Sequence, residues 1–448
     1  MVANTRSVAV VGAGWAGLSA AVRLVDQGHQ VTLYDAAHEA GGRARGFQWH
    51  AADGHDQRVD NGQHIMIGAY REMLELLDHI GVKPQTVVRR EPLTLVDSRG
   101  LYLRARRLPA PLHLAAGVFL ARGLALSDKL SMMNLMLRAK RDSFRIAGDR
   151  PVAVWLEEQS QPKAVIERIW TPLCVAALNT PARIASTQIF LNVLRDSLGA
   201  DRNASDFLLP TTTLDEILPA RAVRYLADHG AQVALGQLVE KMGTDESTVA
   251  LTLRDGVKNY DAAVLAVPAH QIASLLAPFR DDSWTGLLSA CAGLTWQPIT
   301  TIYLVYDRPV TLPAAMMALI EHPEREAFGQ WLFARGSLGG PADTVAVVIS
   351  AEGRHRDIEQ KALVALIDRQ LRNQVGIKAS LVASRCVTEK RATFAAVPGL
   401  VRPPNHTPSP RITLAGDYTE SDYPATLEGA LRSGRIAAEQ LGRSLSGG

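Results

Sequence analysis

Two hydrophobic periodicities alternate along this chain. Ser7–Val11 is a short unbroken run of small and β-branched apolar residues, the pattern of a strand buried on both faces. Leu18–Val25 follows with apolar positions at helical spacing, and Gln30–Tyr34 repeats the strand pattern. From Pro84 to about Ala204 the pattern predicts mostly helix: Asp128–Arg145, Val152–Gln159 and Ile184–Leu198, with a start signal at Ser127-Asp128 and a weaker one after Pro181. From Leu209 strands return. Leu214–Asp228 reads as a helix, Gln232–Leu235 and Leu238–Glu240 as strands, and Thr248–Arg254 as a strand closed by an Asp255-Gly256 turn before Tyr260–Val267. Alternation at Ile302–Tyr306 and Val345–Ile349 predicts a second, mixed sheet, and Glu359–Gln374 a helix. Arg411–Asp417 reads as a last strand, with a helix beginning near Ala425. No internal repeat or low-complexity tract interrupts this α/β pattern.

The first strand ends in chemistry. Gly12, Gly14 and Gly17 stand at G-x-G-x-x-G spacing around Ala13, Trp15 and Ala16, just where a helix should begin. Gly12 would make the tight turn, Gly14 would let backbone approach a pyrophosphate, and Gly17 would let helix and strand pack closely. The helix N-terminus supplies free N–H groups and the positive end of a dipole to the phosphates. Asp35, at the end of the second strand, is placed to accept hydrogen bonds from an adenosine ribose. These features define a dinucleotide site, and alone they fit NAD as well as FAD.

The next residues narrow the choice. Gly41-Gly42-Arg43 soon after the second strand resembles the extended fingerprint of FAD-dependent amine oxidases, phytoene desaturases and their relatives. The resemblance implies that Arg43 lies against the pyrophosphate and that Gly42 lets backbone pass close to the flavin side. The strand ending at Gly416-Asp417, a short loop and a helix after Ala425 resemble the C-terminal flavin motif of the same superfamily. That likeness implies Asp417 near the ribityl or pyrophosphate and N–H groups around Thr426 and Leu427 facing the flavin. Val239 is the corresponding candidate for clasping the adenine. The expected architecture is a discontinuous Rossmann-like FAD-binding domain from residues 1–83, 205–275 and 386–448. Into it is inserted a mixed-sheet plus helical substrate domain from 84–204 and 276–385.

Composition changes the picture only by exclusion. Across 448 residues, 47% hydrophobic and 21% charged content is that of an ordinary globular protein, and a net charge of +3 gives no reason to expect a nucleic-acid partner. Cys174, Cys291 and Cys386 stand far apart without a C-x-x-C, which predicts a reduced, cytoplasmic protein with no thiol metal site and non-covalent FAD. No metal site is expected, nor a bilayer-spanning run or leader. The stretch 104–126 is the exception to blandness. Arg104, Arg106 and Arg107 precede an apolar run from Leu108 to Leu126, which reads either as a peripheral contact with the inner face of the cytoplasmic membrane or as an internal helix.

Three blocks carry a narrower resemblance, to the hydroxysqualene dehydroxylases: Val59–Glu72, Trp170–Pro181 and Gly416–Ala430. The likeness implies reductive removal of the hydroxyl from hydroxysqualene to give squalene and water, in bacterial squalene and hopanoid synthesis. An isoprenoid lipid would be the substrate. Hydroxide leaves poorly, so a general acid is expected, and hydride would come from reduced flavin. His64 is the proton donor by residue type, with Asp422 and Tyr423 as further catalytic candidates and Asn61 and Gln63 as neighbours. Trp170, Phe190, Trp296, Tyr303, Tyr306, Trp331 and Phe333 are candidates for an aromatic tunnel. Gly336–Gly340 lacks the strand and helix of a second dinucleotide fingerprint, so an external electron donor is expected. A carotenoid or squalene desaturase and a non-enzymatic prenyl-lipid escort share the fold and stand as alternatives.

Overall fold

The computed structural model describes residues 5–50, 54, 56–244, 247–279 and 282–446. Its organising element is a five-stranded parallel sheet in the order Gln232–Leu235, Gln30–Asp35, Ser7–Val11, Ala262–Leu265, Ile412–Leu414. The first strand is central, and Val8, Ala9 and Val10 are fully buried, as an unbroken apolar run requires. The helix Trp15–Asp26 packs on this sheet and against the C-terminal helix Leu427–Ser446. Sheet neighbours thus come from both ends of the chain, and the Rossmann-like half is discontinuous as expected.

Asp261 resolves one predicted strand into two. The run expected over Tyr260–Val267 is cut there: Tyr260 ends the strand Gly256–Tyr260, which forms an antiparallel meander with Val249–Leu253 and Val239–Thr244, and Ala262–Leu265 lies in the parallel sheet. Between them the Asp261 carboxylate accepts from the Ser7 N–H and Oγ at 2.7 and 2.8 Å, locking the switch between sheets. Leu214–Asp228 is also broken, into Leu214–Ile217 and Pro219–Asp228. Pro219 has no N–H to continue the first helix and is well suited to open the second.

The second sheet runs Met316–Ala318, Trp331–Ala334, Thr344–Ser350, Trp296–Tyr306, Leu381–Phe394. All its strand pairs are antiparallel, which corrects the mixed sheet expected from sequence. The expected domain boundary at residue 386 falls inside Leu381–Phe394, which pairs along its length with Trp296–Tyr306; this strand belongs to the second sheet throughout. Helices Leu126–Arg141, Val152–Glu158, Thr171–Leu178 and Thr187–Ser197 fill the helical region. Ser186, whose Oγ accepts from the Ile189 N–H at 3.1 Å, caps the last of these. Among the described residues no helix is long and apolar enough to cross a membrane.

Candidate active site

A cavity of about 1010 Å³ joins the two halves of the molecule. One end is the glycine cradle. A Cβ at Gly17 would lie 1.8 Å from the Gly12 carbonyl oxygen, so glycine there is a packing requirement. A Cβ at Gly14 would meet no protein atom nearer than Gly42 Cα at 4.0 Å, yet Gly14 lines the cavity. The space beside Gly14 is therefore open to a ligand. Helix Trp15–Asp26 starts from Gly14 with no side-chain cap, which leaves its first N–H groups for an anion. Trp15 faces inward, its Nε1 donating to the Ala44 carbonyl at 3.0 Å and pinning the Gly41–Ala44 turn, while Ala16 and Gly42 line the cavity. Asp35 lines it too. Its carboxylate accepts from the N–H of Ala13 at 2.6 Å and of Ala37 at 2.8 Å, so the residue expected to accept from a ribose also holds the glycine loop. Val239 lies on the cavity wall beside Gln237, Leu238 and Glu240.

The C-terminal motif closes the cradle. Gly416, Asp417, Thr426 and Leu427 line the cavity, and Thr426 Oγ1 accepts from the Gly429 N–H at 2.9 Å at the start of the last helix. Arg43 was expected against a pyrophosphate. It lines the cavity there, and it donates to Asp417 at 2.6 Å and to the Ala392 carbonyl at 2.9 Å, joining both motifs to the second sheet. Arg402 escaped sequence reasoning altogether. Its guanidinium sits 4.7 Å over the Phe394 ring and donates to five backbone carbonyls, of Asp417, Tyr418, Thr419, Ser421 and Tyr423. Burial pulls its pKa down to about 10, so it stays charged at neutral pH and clamps the loop. Glycine space, uncapped N–H groups, Asp35 and the C-terminal helix start form a donor set that fits a flavin dinucleotide.

The other end of the cavity is apolar. Leu93, Leu173, Phe190, Phe207, Trp331 and Phe333 line it, from the helical region and the second sheet. Of the predicted tunnel aromatics, Phe190, Trp331 and Phe333 are in place. Three others are core: Trp170 Nε1 donates to Gln161 Oε1 at 2.9 Å, Tyr303 Oη to the Asp60 carbonyl at 2.8 Å, and Tyr306 Oη to Asp368 at 2.9 Å. Trp296 packs edge-on to His270 at 6.0 Å.

The catalytic candidates separate. His64 lines the cavity, with Nδ1 2.7 Å from the Gly62 carbonyl. A carbonyl only accepts, so the proton sits on Nδ1 and the Nε2 lone pair is free. Burial lowers its pKa, so the ring is neutral near pH 7 and is poised to accept a hydrogen bond before it can give a proton. Tyr423 also lines the cavity. Burial, with the hydrogen bond its hydroxyl donates to Asp196, raises its pKa, and Arg432 lies 4.6 Å over its ring. Asp422 is outside the site: its side chain is 60% exposed and faces Arg195 at 3.9 Å. The loop carbonyls turn inward, that of Asp422 to Asn192 Nδ2 at 2.9 Å and those nearby to Arg402, so its carboxylate turns out.

Behind His64 lies a buried polar group in which Asn61 and Gln63, named from the sequence, are joined by Asp60, Asn179 and Arg335, which were not. Gln63 Oε1 accepts from Arg335 Nη1 at 3.1 Å. Asp60, fully buried, accepts from the Leu214 N–H at 2.8 Å, and burial pushes its pKa up to about 6. Asn61 Oδ1 accepts from the Arg45 N–H at 3.3 Å and its amide donates to the Arg43 carbonyl, linking this segment to the fingerprint. Asn179, also on the cavity wall, donates to Thr393 Oγ1 at 3.0 Å and accepts from the Ala351 N–H at 2.8 Å, tying Thr171–Leu178 to the second sheet.

With this geometry in view, the chain belongs to the flavin-containing amine oxidoreductase family, whose model matches residues 15–442; it is a flavin oxidoreductase. Within that class it is 29% identical to the hydroxysqualene dehydroxylase of Rhodopseudomonas palustris, over 97% of this chain and 98% of the relative. It is 25% identical to the zeta-carotene desaturase of a Synechocystis species, over 97% and 96%. An oxidoreductase structure from Methanosarcina mazei shares the fold, with a TM-score of 0.74 at 14% identity, over 97% of this chain and 100% of that one.

Proposed function

We propose that the protein holds FAD non-covalently and reductively removes the hydroxyl of hydroxysqualene, giving squalene. The observation that carries this reading is the continuity of the cavity: the glycine cradle and the apolar arm are one space. An isoprenoid chain in that arm leaves water for aromatic and aliphatic walls, gaining about 0.8 kcal/mol per buried CH₂. Full-length similarity to a hydroxysqualene dehydroxylase supports the choice of substrate. None of the three cysteines lines the cavity, which supports a cofactor held without a thiol link.

FAD would supply the hydride chemistry when bound. Gly14, the first turn of Trp15–Asp26 and Asp35 would hold its pyrophosphate and ribose, and Thr426 and Leu427 would face the ring system. The reaction breaks the C–O bond, releases the oxygen as water after protonation, and puts a hydride on carbon; two electrons come from an external donor. The apolar arm excludes water and aligns the allylic carbon. His64 Nε2 is positioned to accept from the substrate hydroxyl and so to orient it, and it serves as acid only once protonated.

The similarity to a zeta-carotene desaturase favours one second reading, dehydrogenation of an isoprenoid by oxidised flavin. An anaerobic experiment separates the two. The flavoprotein is reduced with dithionite and mixed with hydroxysqualene, and flavin absorbance and lipid products are followed. One-for-one flavin reoxidation and squalene formation is the expected result. Surviving alcohol, with squalene dehydrogenated by the oxidised protein, would replace this reading with the desaturase.

A further inference from the structure

The apolar side chains exposed to solvent are not scattered. Among the described residues thirteen large hydrophobics are exposed, and eight of them lie between Tyr102 and Leu137. The elements that carry most of them are tied together. Helix Leu112–Phe119 leaves Leu112, Phe119 and the following Leu120 more than half exposed. Lys129 Nζ donates to the Phe119 carbonyl at 2.9 Å, which joins this helix to Leu126–Arg141, and the Arg106 N–H donates to the His113 carbonyl at 3.0 Å, which joins it to the basic loop. On Leu126–Arg141 the exposed Leu126, Leu130 and Leu137 recur at i, i+4 and i+11 and form one stripe, opposite the buried Met132, Leu135 and Ala139.

Charge is concentrated on the same segment. Residues 104–141 hold eight Lys and Arg and a single acidic residue, Asp128, whereas the whole chain carries only +3. Arg104, Arg106, Arg107 and Arg122 are exposed around the apolar helix. By helical spacing Lys129, Lys140 and Arg141 flank the leucine stripe. An apolar face rimmed by cations matches an anionic bilayer, with acyl chains for the leucines and phosphates for the arginines.

We propose that this face, centred on Leu112, Phe119, Leu120, Leu126 and Leu130, docks the protein on an anionic lipid bilayer. The inner face of the same helix backs the cavity wall: buried His113 shares a hydrogen bond with Ser205 Oγ at 3.1 Å, and Ser205 lines the cavity. A lipid substrate would be met at this face, a point that rests on the reaction proposed above; the docking itself does not.

Flotation of the flavin-loaded full chain with vesicles tests it. Binding to equimolar phosphatidylcholine and phosphatidylglycerol should exceed binding to phosphatidylcholine alone by about ten-fold, and about 0.5 M salt should erase the difference. The triple variant L112S/F119S/L120S should lose about ten-fold in binding, and R104E/R106E/R107E should lose the preference for anionic vesicles, both with flavin content and melting temperature unchanged. If the apolar variant loses its flavin, protection of the wild-type 104–122 segment from trypsin by anionic vesicles decides instead. Equal binding by wild type and variants, or no protection, would overturn the proposal. So would a wild-type dimer in light scattering that the apolar variant turns into a monomer, since a second copy would then cover the face. None of these readouts depends on turnover, so their failure is distinct from failure of the dehydroxylase reading.

Discussion

At the scale of single residues, the site is set by groups whose partners lie far away in sequence. Asp60 is the clearest. Its carboxyl is pushed up to about 6 by burial, against an ordinary value of 3.8, so the folded protein binds this proton more tightly than the unfolded chain. The stability this gives is complete below the unfolded pKa and is lost as pH rises through about 6. Between pH 5 and 8 the loss should be roughly 1 to 2 kcal/mol. Asp60→Asn keeps an acceptor for the Leu214 N–H and removes the titration. Urea unfolding at the two pH values should therefore show the variant gaining on the wild type by that amount as pH rises, and a gain independent of pH would discard the assignment. Arg402 makes the opposite prediction. Five carbonyls depend on one guanidinium, and an ammonium cannot reproduce its fork. Arg402→Met should cost about 3 kcal/mol of stability. Arg402→Lys should fold but release flavin more readily, read as flavin lost on gel filtration, because Asp417 sits on the clamped loop.

At the scale of elements, what was legible in the sequence is what local rules determine. Ser7–Val11 and Gln232–Leu235 stand where periodicity puts them, while the hairpin expected at Asp255-Gly256 turns one residue earlier, on Arg254-Asp255, with Gly256 opening the next strand opposite Leu253. Strand Leu381–Phe394 was not seen. Ser384, Arg385, Lys390 and Arg391 keep much of it exposed, and its pairing with Trp296–Tyr306 rather than its own apolar pattern makes it a strand. The fingerprint and the Gly416-Asp417 motif were each legible, but the Arg43–Asp417 pair between them depends on the tertiary fold. The two central glycines can be separated by experiment. Gly17→Ala puts a Cβ 1.8 Å from a carbonyl oxygen, and should lower the melting temperature of the flavin-free protein. Gly14→Val meets open cavity, so it should leave that temperature unchanged and abolish flavin binding. Equal effects of the two on the flavin-free protein would show that the space beside Gly14 is not a ligand's.

At the scale of the whole molecule, the cavity walls come from segments far apart in the chain: Gly14–Ala16, Asp35–Ala37, Gly41–Ala44, Asn61–His64, Gln237–Glu240, Ala266–Pro268 and Gly416–Tyr418, with the second sheet closing the far end. The two sheets and the helical region are therefore coupled through whatever fills it. A ligand that binds only the folded state stabilises it by RT ln(1 + [L]/Kd), about 2.7 kcal/mol at a hundred-fold excess over Kd. Unfolding entropy near 2.1 cal/mol/K per residue over 448 residues converts this to a rise of roughly 3 °C if the halves unfold together. If only the parallel-sheet half were cooperative with the site, the same free energy would act on a smaller unit, and the rise for that transition would be larger. Calorimetry of the flavin-free protein with and without added FAD distinguishes these. One transition moving by a few degrees is expected, because Arg43 bridges Asp417 to Ala392 and Asn179 ties the helical region to the second sheet. Two transitions, of which only one moves, would mean that the bridges do not couple the halves.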